Sequence, residues 1–147
     1  MKNVQVKIPA TSANLGPGFD TFGMALSFYD EYTATETASG LEIVVNGEGA
    51  GDIPLDESNL IYRSLELVFK QLGKKVPGLK ITCENNIPHG RGMGSSGAAV
   101  AGGVMLAAGL LQDEIEISEQ QLLEFATQLE GHPDNVAPAL FGGLTVA

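Results

Sequence analysis

The sequence is poor in basic residues and in cysteine. Eight lysines and arginines stand against eighteen acidic residues, which gives a net charge of −10. Nucleic acids and anionic membranes attract basic surfaces, so neither is expected as a partner. The single cysteine, Cys83, excludes an intramolecular disulfide and fits a reducing compartment. With no signal peptide in MKNVQVKI, these features predict a cytoplasmic protein.

Charged residues are also absent from Gly92 to Gln112. A helix that is apolar on all sides is either buried or spans a membrane. This stretch is rich in glycine, and its apolar part is too short to span a bilayer. We therefore predict a buried central helix in a single α/β domain of 147 residues.

Hydrophobic periodicity predicts the other elements. Residues with alternating or β-prone patterns predict strands over 4–8, 26–37, 41–45 and 79–85, and residues 142–146 resemble the start of another strand. Because only the turn Ala38-Ser39-Gly40 separates the second strand from the third, these two are expected to form a β-hairpin. The acidic segment that follows the third strand is interpreted as a solvated loop, since its acids show no metal-ligand spacing.

Two amphipathic helices are expected besides the buried one. An apolar stripe runs over residues 59–72, with Ser58 or Asn59 available as the N-cap and Gly73 as the terminator. The sequence Ser118-Glu119-Gln120-Gln121 fits a capping box at the start of a second helix.

A glycine-rich segment joins the strand over 79–85 to the buried helix. Glycines allow backbone N–H groups to approach an anion, and the first turn of a helix leaves such groups unpaired. The order strand, glycine-rich loop and helix therefore predicts a phosphate-binding loop. From these residues alone, a tight turn into a packed core helix stays open as the alternative.

Two common nucleotide motifs are excluded for this segment. A Walker A motif requires a lysine, and no lysine follows Lys80. The spacing of Gly90, Gly92 and Gly94 does not match the dinucleotide-binding fingerprint. Neither His89 nor His132 has a partner at metal-ligand spacing, so both are interpreted as loop histidines.

Three segments together resemble one family of enzymes. PHGRGMGSS at 88–96 resembles the phosphate loop P-x-x-x-G-L-G-S-S-A of the GHMP small-molecule kinases, with Met93 in place of Leu and Gly97 in place of Ala. Within that superfamily, PATSANLGPGFDTFGMAL at 9–26 and EGHPDNVAPALFGG at 130–143 resemble the homoserine kinases. The similarity extends over essentially the whole chain.

The resemblance implies a two-layer α+β domain like domain 2 of ribosomal protein S5, with a mixed sheet packed against helices. Residues 1–147 would form this ATP-binding N-terminal domain. Members of the family are about twice as long and carry a second, ferredoxin-like domain. We therefore expect this chain to be a fragment that lacks the second domain and has little activity alone.

The implied reaction is ATP-dependent phosphorylation of the side-chain hydroxyl of L-homoserine to O-phospho-L-homoserine, in threonine biosynthesis, with ATP and Mg²⁺ as cofactors. Two alternatives stay open: another GHMP kinase, acting on mevalonate or a sugar, and a non-catalytic nucleotide-binding fragment. Homodimer formation is also left open.

The resemblance also implies residue roles. Asn59 and Leu60 would flank the adenine, while Ser96, with Ser95 as its alternative, and Glu130 would hold Mg²⁺. The residues implied to wrap the phosphates of ATP are Pro88, His89, Gly90, Arg91, Gly92, Met93, Gly94, Ser95, Ser96 and Gly97.

Asn14, Asp20 and Asn135 match positions that bind the amino-acid substrate. Asp20 suits the substrate ammonium group through a charge-assisted hydrogen bond. Read without the resemblance, Asn14 and Asp20 would form a structural Asx turn. Arg91, Asp134 and Asn135 are the candidate catalytic residues, and Asp134 is either a general base or a turn cap.

Overall fold

The structure, a computed structural model, describes residues 2–9, 29–47, 49–86, 95–130 and 144–146. Its strands are β1 (Asn3–Pro9), β2 (Tyr29–Thr37), β3 (Leu41–Gly47), β4 (Gly78–Asn85) and β5 (Leu144–Val146). Its helices are α1 (Leu60–Gln71), α2 (Ser95–Leu111) and α3 (Glu119–Glu130). Each predicted helix is confirmed, and the strands match the predicted segments wherever the chain is described.

The five described strands form one mixed sheet in the order β3-β4-β2-β1-β5. Strands β3 and β4 are parallel, and the other neighbouring pairs are antiparallel. The alternating residues Val4, Val6 and Ile8 are buried, while Gln5 and Lys7 between them are exposed. One face of the sheet therefore carries the core, and the helices cover that face.

The predicted hairpin between β2 and β3 is wrong, because β4 lies between these two strands. The connection at residues 38–40 packs against the first residues of β4. The amide of Leu79 donates to the carbonyl of Gly40 at 2.9 Å, and a Cβ at Gly78 would lie 2.7 Å from the Ser39 backbone. Strand β4 carries buried Leu79, Ile81 and Cys83, which suits its interior position between β3 and β2.

Helix α1 begins and ends as the sequence predicts. The side chain of Asn59 caps its first turn, and Gly73 follows its last residues with φ of +70°. The amide of Lys74 donates to Phe69 at 2.8 Å and that of Gly73 to Lys70 at 3.1 Å, which is the Schellman pattern. Helix α3 has the predicted capping box, since Ser118 and Gln121 exchange side-chain and backbone hydrogen bonds.

Helix α2 occupies the centre of the fold. It packs on β1 and β2, and both α1 and α3 pack against it. Its glycines allow these close approaches: a Cβ at Gly102 would lie 2.3 Å from the ring of Tyr32, and one at Gly103 would lie 2.3 Å from the carbonyl oxygen of Ile61. The predicted buried helix is therefore confirmed. In the described part of the chain, no helix has the length and apolarity needed to cross a membrane.

Candidate nucleotide-binding site

A pocket of about 290 Å³ opens at the edge of the sheet where β3 and β4 end and where α1 and α2 begin. Ligands of open α/β sheets bind at the carboxyl ends of parallel strands, which is this edge. The apolar part of the lining comes from β3, the segment before α1, and the first turns of the two helices. It includes Val45, Ile53, Pro54, Leu60, Ile61 and Ala99.

Asn59 joins two parts of the pocket wall. Its Oδ1 accepts hydrogen bonds from the amides of Ile61 at 2.8 Å and Tyr62 at 3.3 Å. Its Nδ2 donates to the carbonyl of Pro54 at 3.0 Å. The residue is only 1% exposed, so these bonds are made away from bulk water. One side chain thus fixes both the start of α1 and the segment that precedes it.

Asp30 is a second buried polar residue of the lining, and sequence reasoning missed it. Its carboxylate accepts the amide of Asn86 at 2.7 Å and the hydroxyl of Tyr32 at 2.8 Å. The side chain of Asn86 donates to the carbonyl of Tyr29 at 2.8 Å. These bonds tie the start of β2 to the residue at which β4 continues into the glycine-rich segment. The available signal was alternation, because Asp30, Tyr32 and Ala34 share the buried face of β2.

Burial governs the ionisation of the side chains beneath the pocket. It raises the pKa of Tyr32 well above its usual value, and the negative charge of Asp30 raises it further. Burial, followed by the charge of Asp30, raises the pKa of Cys83 to about 12. Cys83 is therefore a neutral thiol at pH 7 and a core residue, as its place in an apolar strand predicts.

The structure brings two of the predicted binding residues, Asn59 and Leu60, to this pocket. Gly97 lies in the buried part of α2. Ser95 and Ser96 belong to the first turn of α2 and Glu130 to the end of α3, but their side chains are outside the described part of the structure. The predicted residues that lie wholly outside the described ranges are Asn14, Asp20, Pro88, His89, Gly90, Arg91, Gly92, Met93, Gly94, Asp134 and Asn135.

The described residues next to the segments 10–28, 87–94 and 131–143 lie at the same edge of the sheet as the pocket. Strand β1 ends at Pro9, opposite Tyr29 where β2 begins. Strand β4 ends opposite the start of β2, with Glu84 facing Glu31. Strand β5 starts at Leu144, beside Lys7 in the last half of β1. The chain therefore leaves or enters the sheet at this edge on both sides of 10–28, before 87–94 and after 131–143.

The described lining contains no lysine or arginine. The first turns of α1 and α2 contain no acidic residue, and the N-terminus of a helix carries partial positive charge, whereas the Asp30 carboxylate adds negative charge to the lining. No three metal-binding side chains cluster within the described ranges. An apolar pocket beside two helix N-termini suits a ligand with a flat apolar ring and an anionic group.

The chain is similar to known kinases in sequence and in fold. The profile described as GHMP kinases N terminal domain matches residues 59–143. The homoserine kinase of Clavibacter michiganensis subsp. michiganensis is 56% identical over 147 residues, which cover 99% of this chain and 46% of that protein.

Two solved structures share the fold. The homoserine kinase of Cytophaga hutchinsonii has a TM-score of 0.75 and 31% identity, with 99% of this chain and 49% of that chain covered. The mevalonate kinase of Methanococcus jannaschii has a TM-score of 0.62, but its 14% identity, with 99% and 52% of the two chains covered, shows the fold alone.

The chain spans about half the length of the curated relatives that it matches. The matched profile covers more than half of the chain, including α1, β4, α2 and α3, and the predicted mixed sheet with packed helices is present. The chain therefore belongs to the GHMP kinases, in the family defined by their N-terminal domain.

Proposed function

We propose that this chain is the ATP-binding domain of a homoserine kinase. The reaction transfers the γ-phosphoryl group of ATP to the side-chain hydroxyl of L-homoserine and yields O-phospho-L-homoserine for threonine biosynthesis. The observation that carries the proposal is the 56% identity to a homoserine kinase over 99% of this chain. The substrate motifs at 9–26 and 130–143 support it.

The pocket at the sheet edge is the proposed site of the adenine ring. Its apolar lining, with Leu60 and Ala99 on the two helices, would remove the faces of the ring from water. The phosphates would then extend toward the first turn of α2, where unpaired N–H groups and the helix dipole favour negative charge. The glycine-rich segment from Pro88 to Gly97 would supply further backbone donors.

Mg²⁺, when bound with ATP, supplies neutralisation of the charge on the β- and γ-phosphates. Ser96, with Ser95 as its alternative, and Glu130 are the proposed protein ligands. One hydroxyl and one carboxylate are a suitable set, because Mg²⁺ keeps most of its positions for phosphate and water.

The amino-acid substrate would be held by three side chains. Asp20 would pair with its ammonium group, and Asn14 and Asn135 would hydrogen-bond its polar groups. The substrate hydroxyl oxygen forms the new bond to the γ-phosphorus while the bond to the β–γ bridging oxygen breaks and ADP leaves. Asp134 would take the hydroxyl proton, and Arg91 would offset charge on the transferred group.

A substrate panel tests this assignment. ADP release by the purified protein that carries this chain should depend on L-homoserine and should not respond to mevalonate or a sugar. Ser96→Ala should lower that turnover at least tenfold, and Ser95→Ala should lower it less. Turnover with mevalonate but not with homoserine would overturn the proposed substrate, and an unchanged rate in Ser96→Ala would remove the metal role from that residue.

The proposed setting is the cytoplasm, with ATP and L-homoserine as the small-molecule ligands. Two features support this setting: the single cysteine is a buried free thiol, and the chain carries a net charge of −10. That charge disfavours nucleic acids and anionic membranes as partners.

A further inference from the structure

Asn59 uses nearly all of its hydrogen-bonding capacity on the protein itself. A side-chain amide has two acceptor lone pairs and two donor hydrogens. Both lone pairs of Oδ1 have partners, the amides of Ile61 and Tyr62. One hydrogen of Nδ2 goes to the carbonyl of Pro54. No acceptor remains with which Asn59 could read the amino group of a nucleobase, although it lines the pocket.

The groups that Asn59 holds belong to two parts of the pocket lining. Ile53 and Pro54 line it from the segment before α1, and Leu60 and Ile61 line it from the first turn of that helix. The segment 49–58 contains its own short-range bonds, such as that from the Ile53 amide to the Gly49 carbonyl at 3.0 Å. The Asn59 side chain adds a bond between this segment and the start of the helix.

We propose that Asn59 is a positioning residue that sets the width of the nucleotide pocket by holding Pro54 against the start of α1. It acts through the wall formed by Ile53 and Pro54, and it does not select the base by hydrogen bonding. This inference rests on the proposed function, because it takes the pocket to be the adenine site.

Two substitutions distinguish the role of Asn59 as the N-cap of α1 from its hydrogen bond to Pro54. Serine and aspartate are both good N-caps, so Asn59→Ser and Asn59→Asp keep an acceptor for the first turn of α1. Aspartate has the size of asparagine but no donor, and serine is too short to span the distance to Pro54. Asn59→Asp introduces a charge and Asn59→Ser does not. The same changes at exposed Asn3, at the far end of the sheet, are matched controls.

The Kd for Mg·ATP should rise about tenfold in both Asn59 variants. A rise of this size corresponds to the loss of one buried hydrogen bond and the displacement of the wall formed by Ile53 and Pro54. Titration calorimetry at a temperature at which all variants are folded measures it. The Asn3 variants should bind like the parent chain. An unchanged Kd in both Asn59 variants, or a rise only in Asn59→Asp, would overturn the proposal, because the second result indicates repulsion by the new charge.

A double-mutant cycle with Ile53→Ala distinguishes action through the wall from direct contact. If Asn59 acts through the wall, Asn59→Ser should weaken binding by less than threefold when Ile53 is already alanine. The ratio of the Kd values for ATP and GTP should be the same in Asn59→Ser as in the parent chain. If the fold-changes in Kd from Asn59→Ser and Ile53→Ala simply multiply in the double variant, Asn59 acts independently of the wall and the proposal is contradicted. A changed ratio of the Kd values for ATP and GTP would assign Asn59 to direct contact with the base and would also contradict it.

Hydrogen exchange provides a readout without nucleotide. The amide of Ile53 should exchange about tenfold faster in both Asn59 variants, while the amides of Ile61 and Tyr62 stay protected. Unchanged exchange at Ile53 would overturn the positioning role. If the parent chain binds no Mg·ATP at millimolar concentration, the proposed function fails, and the exchange result alone then decides whether Asn59 holds the wall.

Discussion

Helix α1 exposes one face and buries the other, whereas helix α2 is buried on nearly every side. In α1 the exposed residues include Arg63 and Lys70, and the buried stripe includes Leu65 and Val68. From Gly97 to Leu111, α2 has only half-buried Ala99 and Ala108 among otherwise buried residues. The first helix is held by burial of large side chains, while the second depends on small residues that let its neighbours approach.

This difference bears on the proposed site, because both helices begin beside the pocket. The direction of α1 is fixed by its cap at Asn59 and by its buried stripe. The place of α2 is fixed by contacts with the sheet at Gly102 and with α1 at Gly103. Substitutions in the two helices should therefore destabilise the protein for opposite reasons, lost volume in α1 and added volume in α2.

The largest expected effect is the loss of a large side chain from α1. Leu65 is fully buried, so Leu65→Ala should lower the free energy of unfolding by about 3 kcal/mol, through lost burial and the cavity that remains. The matched control is exposed Arg63→Ala on the same helix, which should change it by less than about 0.5 kcal/mol. Urea denaturation measures both, and equal effects at the two positions would contradict the one-sided burial of α1.

A smaller loss is expected from adding one methyl group to α2. Helix propensity alone predicts that Gly103→Ala stabilises by about 1 kcal/mol and that Ala108→Gly destabilises by the same amount. Since a Cβ at Gly103 would lie 2.3 Å from the Ile61 carbonyl oxygen, we expect Gly103→Ala to destabilise by about 2 kcal/mol. Both changes should therefore lower the midpoint of thermal unfolding. A higher midpoint for Gly103→Ala would show that the two helices are not in close contact there.

The buried hydrogen bond of Tyr32, whose ring packs against α2, can be tested by removing the hydroxyl group. Tyr32→Phe keeps the ring against Gly102 but removes the bond to the buried Asp30 carboxylate, so it should cost about 1.5 kcal/mol. Tyr29→Phe, at a half-buried ring near Lys7, serves as the control and should cost less than 0.5 kcal/mol by the general behaviour of surface positions. Similar losses in both variants would indicate that the Tyr32 hydroxyl is not engaged in the core.

The smallest expected effect is a pH dependence from Cys83. Its pKa is raised from 9.0 to about 12 in the folded protein, so the unfolded chain loses this proton first as the pH rises. Its contribution is complete below pH 9 and is lost between pH 9 and 12, with a fall of about 1 kcal/mol from pH 8 to 10. Cys83→Ala should show a shallower decline of unfolding free energy over that range, and identical slopes would contradict a dry site for the thiol.

The sequence allowed the helices to be predicted better than the sheet. The stripe and caps of α1 are local signals, and the absence of charge, together with an apolar part too short to span a bilayer, identified α2 as buried. Strand order depends on contacts between distant residues, so the short turn at 38–40 suggested a hairpin where β4 inserts between β2 and β3. The turn instead packs against the first residues of β4, through the approach of Gly78 to Ser39 and the hydrogen bond from Leu79 to Gly40.

Only part of the pocket lining was predicted, again because some of its contacts join residues that are distant in the sequence. Asn59 and Leu60 were expected near the adenine, and both line the pocket. The Asp30 carboxylate was not expected there, because its partners, the Asn86 amide and the Tyr32 hydroxyl, become neighbours only after β2 and β4 pair. The roles predicted for the adenine, phosphate, substrate and metal residues all stay predictions.

We propose that Mg·ATP binds at the edge of the sheet where α1 and α2 begin. Backbone amide shifts in an NMR titration of the chain with Mg·ATP test it most directly. Saturable shifts are expected at Asn59, Leu60, Cys83 and Ala99, with none at Lys75 and Gly78 at the opposite end of the sheet. Shifts confined to the opposite end, or no shifts at millimolar Mg·ATP, would contradict it.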